Sequence, residues 1–131
     1  MNAGSGLTLY LSIAAGGAIG AVSRYWLSTT VESLNNSTFP AGTFLVNAIG
    51  SLLIGLCFMI LMDKVQLIET WRPFLMVGFL GAMTTFSTFS LDALLLFQQG
   101  HYNTALIYTA GSVVVCLLAT FTGMQLAKLV I

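Results

Sequence analysis

Four apolar stretches, each long enough to cross a bilayer, confine this chain to a helical membrane bundle. A bilayer core needs about 20 mostly apolar residues per helix. The stretches Leu7 to Val31, Phe39 to Met62, Pro73 to Gln98 and Thr104 to Val130 meet that requirement. Hydrocarbon offers no water to backbone N–H and C=O groups, so spans of this length and character must be helical. Only 6% of the 131 residues are charged, against about 25% in a soluble domain. The fold expected is therefore an all-α membrane protein, one four-span domain over residues 1–131 with both ends on the same side.

Short polar connectors separate the spans. Glu32-Ser33-Leu34-Asn35-Asn36-Ser37-Thr38 is turn-rich and offers a helix-starting hydroxyl. Asp63-Lys64 through Trp71-Arg72-Pro73 holds half of the charged residues, and Pro73 suits a first helical turn. Gln98-Gln99-Gly100-His101-Tyr102-Asn103 carries a glycine stop. The first six residues contain no Lys or Arg and no small-residue cleavage pattern, so the first stretch is expected to be retained as a span. Lys64, Arg72 and Lys128 fall on one side and Arg24 toward the other, a weak bias that leaves orientation open.

Four Lys+Arg balance four Asp+Glu. That leaves no basic face for nucleic acid and no acidic tail for a partner. No carboxylate pair, metal-ligand cluster or nucleophile with a base stands at useful spacing, which argues against an enzyme. Cys57 and Cys116 lie in apolar stretches without CxxC spacing and read as small buried residues.

Small residues mark where helices approach closely. Gly16, Gly17 and Gly20 form such a patch on the first span, Ser51 and Gly55 on the second, and Gly78, Gly81 and Ala82 on the third. Four helices barely shield a polar lining from lipid, so a pore would need a second copy of the chain.

One run does not fit a greasy helix. Thr84-Thr85-Phe86-Ser87-Thr88-Phe89-Ser90 puts five hydroxyls and two phenyl rings into seven residues, just after Gly78-Phe79-Leu80-Gly81. Polar, glycine-rich backbone at membrane depth is tolerated only when buried in protein or lining a wet cavity. Asn47 lies within the second span, on one helix face with Thr43. Tyr108, Ser112 and Cys116 make a stripe on the fourth, while Phe86/Phe89 and Thr85/Thr88 form i, i+3 pairs on neighbouring faces. Arg24 and Asp92 are the charges well inside spans, Lys128 standing at the end of the fourth; Arg24 has the length to snorkel, Asp92 to reach an aqueous mouth, and His101 sits in a loop.

A lining of hydroxyl and amide donors with few fixed charges can replace a hydration shell. Phenyl edges are electropositive and attract anions in a narrow dry passage. These residues point to a small anion or a small polar solute and do not name it. A proton-coupled drug exporter of similar size needs a carboxylate in its first span, and none precedes Glu32. A membrane scaffold without transport is the other alternative.

Three motifs carry a family resemblance: Gly17-Ala18-Ile19-Gly20-Ala21-Val22-Ser23-Arg24-Tyr25, Gly42-Thr43-Phe44-Leu45-Val46-Asn47, and Gly78 through Ser90. On these the chain resembles the small bacterial fluoride channels of the CrcB/Fluc family over its whole length. The resemblance implies an antiparallel, dual-topology homodimer in the bacterial plasma membrane. It implies two pores lined by both chains, and passive, selective fluoride export that lowers cytoplasmic fluoride. By motif position, Phe86 and Phe89 resemble the paired pore phenylalanines and Asn47 the pore asparagine. Tyr108, Ser112, Thr88 and Thr43 resemble the polar track, and Arg24 the vestibule arginine. The third span would be broken mid-membrane, with carbonyls of Gly81 and Thr84 holding a structural sodium ion at the dimer centre. Ala82 in place of a common glycine, Asp92 in place of a common glutamate, and Cys116 in place of a hydroxyl are departures from the pattern.

Overall fold

The computed structural model describes residues 3–63, 69 and 71–131. The described residues are helical, without strands: α1 (Ala3–Leu34), α2 (Ala41–Asp63), α3 (Pro73–Leu80), α4 (Gly81–Met83), α5 (Phe86–Gln98) and α6 (Tyr102–Lys128). Among the described residues, four helical spans are long and apolar enough to cross a membrane: Gly6–Leu34, Ala41–Asp63, Pro73–Gln98 and Tyr102–Lys128. The shortest has 23 residues, about 35 Å of helix against about 30 Å of hydrocarbon. Lys64, counted above toward orientation, lies outside the described residues.

Two seams of close backbone contact organise the bundle. In the first, α1 packs on α3: a Cβ at Gly20 would strike the Phe79 carbonyl, and one at Gly16 the Phe74 carbonyl. In the second, α2 lies against α6, where a Cβ at Gly123 would strike the Leu52 carbonyl and one at Gly55 the Thr120 carbonyl. Lipid tails are as apolar as leucine, so helices in a bilayer associate through such close packing rather than through water exclusion. Gly16 and Gly20 of the predicted first-span patch, and Gly55 of the second, thus stand in these seams. Gly81 is different, since a Cβ there would meet only Met76 O at 3.5 Å, an ordinary contact.

The connectors are built from their own polar side chains. After α1, Glu32 Oε2 accepts from the Gly42 N–H at 2.8 Å, and Asn35 Nδ2 donates to the Phe39 carbonyl at 2.6 Å. The carboxylate thereby satisfies one of the orphan donors at the start of α2. At the end of α5, Gly100 adopts φ +82°. The Gly100 N–H bonds the Phe97 carbonyl at 3.1 Å and the His101 N–H bonds the Leu96 carbonyl at 2.9 Å. That pair of bonds is the Schellman arrangement, which wants glycine at the left-handed position.

Within α3 the winding is looser, with i to i−5 bonds over Pro73–Leu80. The Gly81 N–H reaches the Met76 carbonyl in this way. Such wide turns are uncommon and concentrate near functional sites.

Replacing Gly123 by valine drives a branched side chain into the Leu52 carbonyl and is expected to destabilise the protein by about 2 kcal/mol or more. Gly6→Ala, where nothing lies within 4 Å, is expected to be neutral or slightly stabilising. Thermal unfolding of the purified protein in detergent compares the two, and equal midpoints would contradict the seam.

Candidate functional site

Thr84 and Thr85 leave the helical path in the middle of the third span. Thr84 has φ −87°, ψ 154° and Thr85 φ −149°, ψ 116°, both extended. Two consecutive extended residues strip nearby backbone groups of their helical partners, and each unpaired group at such depth costs several kcal/mol. Side chains make up the loss. Asn47 Oδ1 accepts from the Thr85 N–H at 2.7 Å, and Asn47 Nδ2 donates to the Thr85 carbonyl at 2.9 Å. The amide so mimics one rung of a β-ladder across α2 and the third span.

The restart of the helix is also made by side chains. Thr85 Oγ1 accepts from the Thr88 N–H at 3.2 Å and lies 3.0 Å from Thr88 Oγ1, a hydroxyl cap on α5. Thr84 Oγ1 donates back to the Leu80 carbonyl at 2.9 Å. The Thr84 methyl packs over Gly50, which has no room for a Cβ. One consequence is electrostatic. The N–H groups four residues beyond Gly81 and Thr84 are those of Thr85 and Thr88, and both are engaged by side-chain oxygens. The Gly81 and Thr84 carbonyls are therefore released from their usual helical donors.

Beside this turn lies a cavity of about 240 Å³, lined by residues that include Asn47, Ser51, Phe86, Phe89, Ser112 and Cys116. Ser112 is 5% exposed, and its hydroxyl has no hydrogen-bond partner. Asn47 uses its oxygen and one N–H on Thr85, so one amide hydrogen remains. Among the described residues, no charged side chain lines this cavity. What it offers is donor dipoles and ring edges, which favour a small anionic or strongly polar solute.

The aromatic rings run on from the cavity as a continuous series. The Phe86 and Phe89 centroids are 5.4 Å apart at 44°, and Phe89 and Tyr108 are 5.3 Å apart at 44°. Phe39 meets Tyr108 edge-on at 5.5 Å and 87°. Phe86 is 78% exposed whereas Phe89 is 8% exposed, so one ring of the pair stands on the outer face of the chain. Tyr108 is fully buried and donates to Asp92 Oδ2 at 3.2 Å.

Asp92 opens onto a second cavity of about 280 Å³ shared with Ser28, Thr29, Glu32, Gly42 and Thr43. The residues singled out in the sequence therefore divide between places. Asn47, Thr84, Phe86, Phe89 and Ser112 meet at the first cavity, while Thr43 belongs to the second. Tyr108 stands between them, packed on Phe89 and bonded to Asp92. Thr88 serves the α5 cap. Arg24 lines neither cavity; it is half-buried, and its buried Nε has no hydrogen-bond partner.

Ser51, Thr85 and the apolar Val113 line the first cavity although sequence reasoning did not place them in the site. Ser51 continues the Thr43–Asn47 stripe at i+4, so its spacing held the signal, although the same residue with Gly55 equally suits helix packing. Thr85 could not be separated from its neighbouring hydroxyls without the backbone angles.

Comparison with known proteins agrees in extent and in kind. The family model described as "CrcB-like protein, Camphor Resistance (CrcB)" matches residues 11–124. A Magnetococcus marinus protein named "Fluoride-specific ion channel FluC" is 44% identical over 118 residues, covering 90% of this chain and 96% of its own. Proteins of the same name from Saccharophagus degradans and Shewanella amazonensis are 39% and 45% identical over 127 and 116 residues. Those alignments cover 93% and 88% of this chain, and 91% and 93% of the relatives. With four spans and a family match over nearly its whole length, the chain belongs to the CrcB family of multi-pass bacterial membrane proteins.

Proposed function

We propose that this protein is a fluoride-selective channel that lets fluoride leave the cell passively and so lowers its toxicity. The observation that carries the reading is the cavity lined by Asn47, Ser112, Phe86 and Phe89, with no charged side chain among the described residues that line it and with the Ser112 hydroxyl and one Asn47 N–H left unpaired. The relatives' names give the same ion. Fluoride is small and binds its water strongly, so it enters a narrow passage only where donors replace that water. Asn47 and Ser112 supply such donors, and ring edges add a diffuse positive field. With no lysine or arginine among the described residues that line the cavity, the ion is not trapped on its way.

In this reading 1–131 is a single four-span domain that works as an antiparallel, dual-topology homodimer with two pores lined by both chains. The outward ring of Phe86 supports it, since a half-finished lining on the outer face calls for a second copy. The Thr84-Thr85 turn then breaks the third span mid-membrane. Phe86 and Phe89 face the ion, Tyr108, Thr43 and Thr88 extend the polar track toward the Asp92 cavity, and Arg24 draws anions to the vestibule. The carbonyls of Gly81 and Thr84, freed from helical donors, are hard oxygen ligands that fit a sodium ion at the dimer centre. When bound, that ion would supply a positive charge that holds the two turns together.

Proteoliposomes loaded with fluoride test the function with an ion-selective electrode. Fluoride efflux without chloride efflux is expected; equal rates for the two ions, or no fluoride efflux, would sink the reading. Phe86→Ile and Phe89→Ile are expected to lower the flux while size-exclusion chromatography still reports a dimer, and wild-type rates in both variants would remove the rings from the pathway. Replacing sodium by a larger organic cation is expected to silence the flux. Undiminished flux without sodium would count against the Gly81 and Thr84 assignment.

A further inference from the structure

Phe39 belongs to no helix; it lies in the connector between α1 and α2. Side chains nevertheless hold its backbone on both sides. Its N–H donates to Ser37 Oγ at 3.3 Å, and its carbonyl accepts from Asn35 Nδ2 at 2.6 Å and from the Ala41 N–H at 2.7 Å. Asn35 is fixed in turn, because its Oδ1 accepts from the Ser37 N–H at 3.2 Å and from Ser37 Oγ at 2.8 Å. This clamp sets the direction in which the Phe39 ring leaves the chain. The ring turns into the bundle, against the buried cluster of Phe89, Leu96, Ala105 and Tyr108. It meets Tyr108 edge-on at 5.5 Å, while Phe89 lies 5.3 Å from Tyr108. Aromatic pairs prefer particular angles, so they orient a ring as well as fill space. Phe39 and Asn35 line neither cavity.

We propose that Phe39 is a positioning residue, clamped by Asn35 and Ser37, which pins the Tyr108 ring so that its hydroxyl stays on Asp92. The consequence for transport rests on the fluoride-channel reading; the pinning itself does not. Tyr108 stands between the two cavities and gives its single hydroxyl hydrogen to Asp92 Oδ2 at 3.2 Å. A hydrogen bond to a carboxylate is a strong one, and it holds the charge to one side. Released, the carboxylate would swing freely where an anion must pass, and like charges repel. A side chain that meets the ion works only when the residues behind it fix its geometry. Phe39 supplies that support without touching the route.

Fluoride efflux from proteoliposomes tests the consequence. Phe39→Leu, which keeps apolar bulk without a ring, and Asn35→Ala, which keeps the ring without its clamp, are each expected to lower flux about two- to tenfold, the range an edge-on aromatic pair supports. In a Tyr108→Phe background neither is expected to lower it further. Wild-type flux in both variants, or an equal further loss in that background, overturns the transport role. Fluorine NMR of protein labelled with meta-fluorotyrosine reads the pinning directly, with the Tyr108 signal assigned by its loss in Tyr108→Phe. That signal is expected to shift or broaden in Asn35→Ala, where the Phe39 ring is still present. An unchanged signal overturns the clamp. A changed signal in a protein whose wild type conducts no fluoride overturns the functional reading and leaves the pinning standing.

Discussion

The pairing of the Asn47 amide with the Thr85 peptide is the contact on which the site depends. Extended backbone within a span is costly because its N–H and C=O have no water to fall back on. Asn47 meets both groups at once, at 2.7 and 2.9 Å. Once Thr85 is held, its hydroxyl is aligned to cap α5, and α5 begins at Phe86 with a phase that α4 does not impose. That phase places Phe89 against Tyr108 and leaves Phe86 facing outward. The same pairing takes the Thr85 N–H away from the Gly81 carbonyl. One side chain on α2 thus orders a cap, a ring series and a set of freed carbonyls on the third span.

The glycine seams supply the frame that makes this pairing possible. Side-chain reach is short, so Asn47 finds Thr85 only if α2 and the third span keep their register. The α2–α6 seam at Gly55 and Gly123 and the α1–α3 seam at Gly16 and Gly20 are backbone-to-backbone contacts, which tolerate little sliding. Ser112 on α6 is carried to the same cavity as Asn47 on α2 by the first of these seams. Rigid packing and a few polar groups are therefore parts of one construction rather than separate features.

Much of this was legible in the chain. Span number and limits follow from hydropathy alone, because the bilayer demands about 20 apolar residues regardless of partner. Pro73 and Gly100 mark their ends for local reasons, the missing N–H of proline and the positive φ of glycine. The hydroxyl-phenyl run, Asn47 and Ser112 stood out as polar groups in greasy segments. The division of labour among them did not. Thr85 and Thr88 are alike in sequence, yet one is extended and caps while the other is capped. Thr43 shares a face with Asn47 but opens onto a different cavity, and Ser51 lines a cavity although its spacing equally suits packing.

The sequence by itself determined a four-span helical bundle, small-residue patches where helices can approach closely, and the polar residues that must find partners inside it. These are consequences of local composition and period, which lipid enforces without reference to the rest of the chain. Only the tertiary structure decided which partner each polar group takes. Asn47 could have bonded any neighbouring helix. It bonds the Thr85 peptide because that backbone is extended there, whereas the Ser112 hydroxyl is left without a partner. Hydrogen bonds act over about 3 Å, so helix register, set by close packing far along the chain, chooses among candidates that the sequence alone leaves equal.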